Sequence, residues 1–354
     1  MTDFLLIDME AAAKVVKALM ECGPSYSEIS RRTGVPIPTV RYILRKRLPR
    51  LGFSVKAAIN YGALGLQRYL VIIKPNLPPN YMSRLLNMFG ELMYLNYYTY
   101  LMRQGEFLTI FNLPPEYFDD FRRFLDELKS LNIIAEYNVR KLLYMRVLPF
   151  RVDCFDFRKG VWRQNWTETR FWVPEQYEDP NPRPKLDKID LLILKEVQKN
   201  AFIKYIDLAK ILGLTRQTIR RHFEHIARTI YMYAVLWVPP WNPELISIPM
   251  IIEAPNADEA RNALINIPFN YAELRTEDDE YLTLALAPSI GLYKMVKYVS
   301  DKIPYKNFEF MDMAYTLNFV VHHNLYSNKS GWLNPYEIGI EKIIRKIGLS
   351  SRGS

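Results

Sequence analysis

The sequence predicts an α+β fold in which one two-part unit occurs twice in a chain of 354 residues. The first observation is a helix-turn-helix pattern, SEISRRTGVPIPTVRYIL and IDLAKILGLTRQTIRRHF, whose central glycines Gly34 and Gly213 lie 179 positions apart. The second is a strand pattern, EFLTIFNLP from Glu106 and EYLTLALAP from Glu280, at an offset of 174. Because both patterns recur in the same order, we expect a duplicated unit.

Each helix-turn-helix needs a tight turn between two steeply crossing helices, and a glycine at positive φ supplies it. In the second copy the apolar positions that face inward are Ala209, Leu212, Leu214, Ile219 and Phe223. The opposite face would enter a DNA major groove. Its candidate DNA-binding residues are Thr215, Arg216, Gln217, Thr218, Arg220 and Arg221.

The part downstream of each helix-turn-helix is predicted to run β-α-β-β-α-β. In the first half the strands are 68–73, 94–101, 106–112 and 133–139, and the helices are 81–89 and 115–131. In the second half the strands are 249–253, 271–275, 280–286 and 308–317, and the helices are 257–265 and 290–303. This order is typical of the ferredoxin-like arrangement, an antiparallel four-stranded sheet with two helices on one face.

Residues 150–184, between the two copies, are rich in Arg, Trp and Pro and include Trp162, Trp166 and Trp172. We interpret this segment as a strap that packs over the sheets, with base stacking or DNA-backbone contact as the alternative. A similar cluster, Lys329 to Trp332, predicts a second strap after the second half.

The formal net charge of +9 favours polyanionic partners, because basic residues release the counterions condensed on phosphates. No acidic residue occurs between Arg31 and Lys56. The candidate DNA-binding residues of the first head are Arg31, Arg32, Thr39, Arg41, Tyr42, Arg45, Lys46 and Arg47. We expect Arg45 and Arg47 to contact phosphates rather than bases.

Several classes of protein are disfavoured. The two cysteines form no CxxC pair and no signal-like start is present, which indicates a cytoplasmic setting, and no apolar run predicts a membrane span. The sequence has no phosphate-cradling glycine loop, zinc-ligand spacing or nucleophile elbow, so we expect no enzyme, cofactor or metal. The histidine pairs His222/His225 and His322/His323 leave a metal site conceivable.

The stretch LDKIDLLILKEVQKNAFIKYIDLAKILGLTRQTIRRHFEHI resembles the DNA-binding domain of the Lrp/AsnC family of feast/famine regulators. In the first copy LGFSVKAAINYGALGLQRYLVII is similar to that family's wing, hinge and entry strand. The resemblance implies two winged helix-turn-helix and two ferredoxin-like domains, paired as an intrachain pseudo-dimer on an asymmetric duplex site. It also implies a small-molecule effector such as an amino acid, and homo-oligomers. The implied domains are 1–60 (head 1), 61–149 (ferredoxin-like 1), 150–184 (strap), 185–240 (head 2), 241–325 (ferredoxin-like 2) and 326–354 (strap and tail).

The two copies differ where the family places its reading and effector residues. Pro36, Ile37 and Pro38 stand where the second head has Thr215, Arg216 and Gln217, so we expect the first head to anchor and the second to read bases. The family's effector turn is similar to Arg103, Gly105 and Glu106 in the first copy, whereas the second copy has four consecutive carboxylates at 277–280. Those carboxylates form a solvated hairpin tip or, alternatively, bind a cation.

Two other functions are compatible with the sequence. A non-specific architectural protein would bind DNA by charge alone. Siroheme decarboxylases resemble the same family, with vestigial helix-turn-helix domains and a tetrapyrrole bound on the ferredoxin-like half. The concentration of basic residues on the recognition helices favours DNA binding.

Overall fold

A computed structural model describes residues 2–181, 184–238, 247–304 and 306–336, and side chains from residue 10 onward. The chain has the predicted α+β fold with winged helix-turn-helix and ferredoxin-like parts. It forms two compact units. Unit 1 comprises Met1–Asn60, Tyr144–Tyr177 and Glu196–Phe310, and unit 2 comprises Tyr61–Leu143, Glu178–Lys195 and Met311–Ser354.

The first head begins with α1 (Thr2–Cys22), α2 (Tyr26–Thr33) and α3 (Ile37–Tyr42) in unit 1. Ser25 caps α2, because its Oγ accepts the backbone N–H of Glu28 at 3.4 Å. The helix ends at Gly34, whose φ of 71° is the left-handed conformation predicted for the turn. The apolar faces of the three helices meet in one core that includes Val15, Leu19, Ile29 and Val40.

The first recognition helix is longer than its sequence pattern suggested and contains a π turn. From α3 the chain continues through a π turn at Ile43–Arg47 into α4 (Leu48–Arg50), and the N–H of Leu48 bonds to the carbonyl of Ile43. Pro49 explains the widened turn, since its ring would collide with the carbonyl four residues earlier in a regular helix. The recognition helix therefore changes geometry within its basic segment.

The second head contains α7 (Lys188–Lys199), α8 (Tyr205–Leu212) and α9 (Arg216–Ile226). The turn between α8 and α9 is made by Gly213, whose φ of 66° is again left-handed, as predicted. The predicted inner face is partly confirmed: Ala209 and Ile219 are buried, and Leu212, Leu214 and Phe223 are partly buried.

The strand after each helix-turn-helix pairs with its counterpart. In unit 1, β1 (Phe53–Ile59) and β8 (Ile230–Trp237) form an antiparallel two-stranded ribbon, with Phe53 opposite Trp237 and Ile59 opposite Ile230. The indole N–H of Trp237 donates to the carbonyl of Leu51 at 2.8 Å. The wing strands of the two heads are thus one hydrogen-bonded structure.

Both ferredoxin-like halves have the predicted element order. The first contains β2 (Gln67–Pro75), α5 (Pro79–Leu92), β3 (Leu95–Leu101), β4 (Glu106–Leu113), α6 (Phe118–Ser130) and β5 (Ile134–Val147). The second contains β9 (Ser247–Pro255), α10 (Ala257–Leu264), β10 (Asn270–Thr276), β11 (Glu280–Pro288), α11 (Leu292–Lys302) and β12 (Asn307–Asn318). The strands pair in the orders β3-β4-β2-β5 and β10-β11-β9-β12, both antiparallel, which is the ferredoxin-like topology.

The strap after the first half packs in unit 1, on the second ferredoxin-like half. It forms a short hairpin of β6 (Phe155–Asp156) and β7 (Val161–Trp162), and the Trp166 ring lies edge-on to Phe269 with centroids 5.7 Å apart. Trp162 and Trp166 are buried, which confirms the packing interpretation for these two rings. Trp172 is 72% exposed, so the stacking alternative stays open for it alone.

The strap after the second half packs in unit 2, on the first ferredoxin-like half. It forms the matching hairpin of β13 (Tyr326–Ser327) and β14 (Gly331–Trp332). The indole N–H of Trp332 donates to Leu64 O at 2.8 Å, and the Tyr94 hydroxyl donates to Leu333 O at 2.7 Å. Each strap therefore packs on the ferredoxin-like half that it does not directly follow in the sequence, so the two straps are exchanged between the halves. The tail expected beyond residue 336 lies outside the described residues, and the sequence-based domain boundaries stay a prediction.

Candidate nucleic-acid interface

The outer face of α9 carries the polar residues predicted to read bases. Ile219 and Ile226, seven residues apart, are fully buried and fix the inner face of the helix. The opposite face exposes Arg216, Gln217, Arg220 and Arg221. In the described part of the chain, no ion-pair partner lies beside Arg216 or Arg221, so both guanidinium groups are available for an anionic partner.

The two recognition helices begin differently, as their sequences predicted. Thr215 has an extended backbone and its Oγ1 accepts the N–H of Thr218 at 3.1 Å, which satisfies one of the free amides at the start of α9. Pro36 precedes α3 without any side-chain cap, and the next residue, Ile37, is 42% exposed. An apolar tip offers a duplex methyl contacts but no hydrogen bonds to base edges.

Arg220 is engaged by an acidic neighbour on the same face. Its Nε lies 2.7 Å from Oε1 of Glu224, four residues later, and the hydrogen bond raises the pKa of the guanidinium. Both side chains are largely exposed, so the pair is screened by solvent and is readily exchanged for another anion.

Arg31 and Arg32 are less available than the sequence suggested. Both guanidinium groups bond to the carboxylate of Glu28, with distances from 2.6 to 2.9 Å. Hydrogen bonds from Arg31 and then Arg32 lower the pKa of Glu28 to about 2. Glu28 lies three positions before the run without acidic residues, which begins at Arg31. Its carboxylate therefore partly neutralises the positive charge at the end of α2.

Arg41 and Arg45 both turn toward Tyr26 at the start of α2. The Arg41 guanidinium lies 5.6 Å from the Tyr26 ring centroid, and Arg45 Nε donates to the Tyr26 hydroxyl at 2.6 Å. Arg45 also donates from Nη2 to the carbonyl of Phe202 at 2.8 Å. Arg45, predicted to contact phosphates, is exposed, and its guanidinium has these protein partners in the structure.

The remaining cations of the first recognition helix differ in exposure. Lys46 and Arg50 are exposed, and neither has an ion-pair partner among the described residues. Arg47 is partly buried, and burial lowers the pKa of its guanidinium. Tyr42 is 50% exposed, whereas Thr39 is partly buried.

Two exposed arginines were missed as candidates. Arg50 follows the π turn, and Arg228 lies seven residues after Arg221, at the end of the second head. Arg228 lies in the short turn Ala227–Thr229 after α9, and its place directly after the basic recognition-helix pattern is the signal that could have identified it.

The turn at 103–106, predicted as an effector site, contains a glycine in the left-handed conformation. Gly105 has a φ of 73° between β3 and β4, beside exposed Arg103 and partly buried Glu106. In the second half Asp279 takes the equivalent place with a φ of 60°, a conformation that Asp tolerates better than most residues. Asp279 also accepts a hydrogen bond from Arg275 at 3.1 Å, so this turn is held by an ion pair rather than by glycine.

Unit 1 contains a buried ionic cluster on its second ferredoxin-like half. Glu273 is fully buried, receives both Nε and Nη2 of Arg261 at 2.9 and 3.2 Å, and accepts the Tyr281 hydroxyl at 2.7 Å. Beside it, Arg275 donates to Glu175 of the strap at 3.1 and 3.3 Å. Arginines that bind internal carboxylates in this way are already neutralised.

The comparisons with known proteins agree with this architecture. Residues 186–225 match the winged helix-turn-helix DNA-binding family. The fold is similar over 95% of this chain and 99% of the other to the siroheme decarboxylase NirDL, with a TM-score of 0.54 and 10% identity. An AsnC family transcriptional regulator from Agrobacterium tumefaciens is 19% identical, covering 36% of this chain and 90% of its own at a TM-score of 0.28.

Escherichia coli AsnC is 17% identical, covering 35% of this chain and 91% of its own at a TM-score of 0.26. No curated protein sequence matches the chain. None of the described helices combines the length and the apolar composition that a bilayer crossing requires.

Proposed function

We propose that this chain is a sequence-specific double-stranded DNA-binding protein, a transcription regulator of the Lrp/AsnC type, whose α9 enters the major groove. One observation carries the proposal. Arg216, Gln217 and Arg221 project from the outer face of a capped helix that lies in a stretch matching a DNA-binding family. Guanidinium and amide groups are the side chains that bind guanine and adenine edges in pairs of hydrogen bonds.

The two heads have different roles in this proposal. The second head reads bases through α9, and the first supplies phosphate affinity through cations such as Lys46 and Arg50. Because the two heads are unlike, an intrachain pseudo-dimer of this kind binds an asymmetric site rather than a palindrome. A cytoplasmic location and a small-molecule effector at Arg103, Gly105 and Glu106 belong to the same proposal.

The test is selection from a pool of random duplexes, followed by competition. We expect one duplex sequence to be enriched. A random duplex at equal concentration should not displace this enriched duplex from the protein. Gln217→Ala should reduce the enrichment, whereas Lys297→Ala, which removes a surface side chain from α11, should not. Equal displacement by the random duplex would support the architectural alternative instead.

A second candidate function is that of a siroheme-decarboxylase-like enzyme, and the whole-chain similarity to the NirDL fold favours it. That protein has been crystallised with an iron-uroporphyrin III analogue, a polycarboxylate. Against this candidate, three of the four buried arginines of the described chain already bind carboxylates, Arg68 to Glu178, Arg151 to Asp153 and Arg261 to Glu273. A visible absorption titration with siroheme decides: an unchanged spectrum removes the candidate.

A further inference from the structure

The first recognition helix is attached to the second head at a point remote in sequence. Arg45 Nη2 donates to the backbone carbonyl of Phe202 at 2.8 Å, across 157 residues, and its guanidinium carbon lies 4.9 Å from the Phe202 ring centroid. Phe202 belongs to the turn just before α8. One arginine of head 1 thus makes both a hydrogen bond and a cation–π contact with head 2.

The contact is ordered from both sides. The rings of Tyr26 and Phe202 are stacked, with centroids 6.3 Å apart and an interplanar angle of 13°, and the Tyr26 hydroxyl accepts Arg45 Nε at 2.6 Å. On the other side, Asn200 Oδ1 accepts the N–H of Phe202 at 3.0 Å and fixes the turn. The exposed guanidinium therefore has hydrogen-bond partners both on α2 and on the turn.

Two further connections between the heads are the β1–β8 ribbon and the backbone N–H of Ala201, which donates to Val55 O at 3.4 Å. The ribbon is the longer of the two. The ribbon is closed at its ends by Val238 N–H to Gly52 O at 3.0 Å and by Asn60 N–H to Thr229 O at 2.8 Å. A two-stranded ribbon fixes the distance between its ends but twists easily, since no further strand constrains it. A second attachment away from the ribbon, such as the Arg45 contact, restricts that twist.

We propose that Arg45 sets the spacing and the rotational phase at which the two heads meet a duplex, acting as a positioning residue rather than as a phosphate ligand. The inference rests on the proposed DNA binding. A rigid pair of heads accepts only the arrangement of half-sites that matches its own geometry, because B-DNA turns once in about 10 base pairs. A pair of heads that lacks the Arg45 contact adapts to other spacings.

The experiment uses the full chain and the best duplex from the random pool. About 5 base pairs are inserted between the two protected segments, which rotates one half-site by half a turn. Binding of each duplex is measured by fluorescence anisotropy for the wild type, Arg45→Ala, Phe202→Ala and Lys46→Ala. Phe202→Ala weakens the contact without changing charge. Lys46→Ala removes the neighbouring charge but leaves the contacts of Arg45 with Tyr26 and Phe202 intact.

We expect the insertion to weaken the wild type by about tenfold or more, the loss of one head's contacts. The loss of affinity caused by the insertion should fall to about threefold or less in Arg45→Ala and Phe202→Ala. In Lys46→Ala this loss should stay as large as in the wild type. Hydrogen exchange without DNA supplies a second readout, because amides of the turn at 201–204 should exchange faster in the first two variants only.

The possible failures are distinguishable. If the wild type enriches no duplex, the proposed function is contradicted. If it binds the original and the extended duplex equally, only the role of Arg45 in setting the spacing is contradicted. Arg45→Ala could instead weaken binding to both duplexes alike, with the insertion still lowering affinity as much as in the wild type. Arg45 is then a phosphate contact and the proposal is wrong. Unchanged hydrogen exchange in both variants overturns it as well.

Discussion

Arg220 Nε lies 2.7 Å from Oε1 of Glu224 on the exposed face of α9, so the proposed reading surface contains an internal ion pair. DNA binding would require Arg220 to leave this carboxylate for a base or a phosphate. The carboxylate would also repel the duplex backbone.

Replacing Glu224 with Gln should therefore tighten binding to all duplexes, by about three- to tenfold at low salt, since one repulsive charge is removed and Arg220 is released. Affinity measured between about 50 and 200 mM salt tests this prediction. Asp301→Asn is the matched control, because it breaks an equivalent i,i+4 pair, with Lys297 on α11. An equal gain in the control would mean that net charge alone is responsible.

Gln217→Ala should relax sequence preference, as should Arg220→Ala, because each good bidentate base contact contributes about 1–3 kcal/mol of discrimination. The measurement is the affinity ratio between the selected site and its single-base variants. Lys210→Ala, which changes an exposed residue of α8, controls for general damage to the head. A ratio that stays at the wild-type value for both α9 variants would exclude α9 as the reader.

Lys46→Ala should weaken binding to all sequences alike and flatten the salt dependence by about one unit, as expected for one lost phosphate contact. The slope of log affinity against log salt measures this directly. A change in sequence preference without a change in slope would reverse the roles assigned to the two heads.

Thr215→Ala should lower the free energy of unfolding by about 1 kcal/mol, because the N–H of Thr218 loses its acceptor at the start of α9. Urea unfolding monitored by circular dichroism checks the value. Thr215→Ser keeps a hydroxyl at the cap and should restore most of the stability. A loss of the same size in both variants would point to packing of the methyl group instead.

Stability should fall in acid because of His322. Burial lowers the pKa of this imidazole to about 4, from 6.5 in an unfolded chain, so the unfolded state takes up the proton first. The His322 contribution is complete above pH 6.5 and is lost as the pH falls toward 4, by about 3 kcal/mol. Urea unfolding of His322→Gln across this window should show a flatter profile, and exposed His225→Gln should not.

Local elements were largely predictable from the sequence, because their signals lie within a few residues. Gly34 and Gly213 take the left-handed conformation that a short turn requires, and the strands at Glu106 and Glu280 begin at the predicted residues. The cap at Thr215 was likewise a local pattern. The roles of these residues in DNA binding stay predictions.

Long-range relationships could not be predicted. The partner of Arg45 is Phe202, 157 residues away, and no periodicity in either segment indicates the other. The pairing of β1 with β8 is equally remote in sequence. The π turn was in principle readable, since Pro49 disrupts a helix four residues back, and so was the pairing of Glu28 with Arg31 at i,i+3.

The exchanged straps have a consequence for how the chain is made. The Trp332 indole bonds to Leu64, 268 residues earlier, and the same strap covers Tyr94 of the first half. The first half is complete at Val147, 185 residues before Trp332. At synthesis rates of about 5–20 residues per second, its strap is therefore made roughly 9 to 37 s later. During this interval Tyr94 lacks the strap residue Leu333 to which its hydroxyl bonds, and apolar surface left uncovered in an incomplete chain favours aggregation.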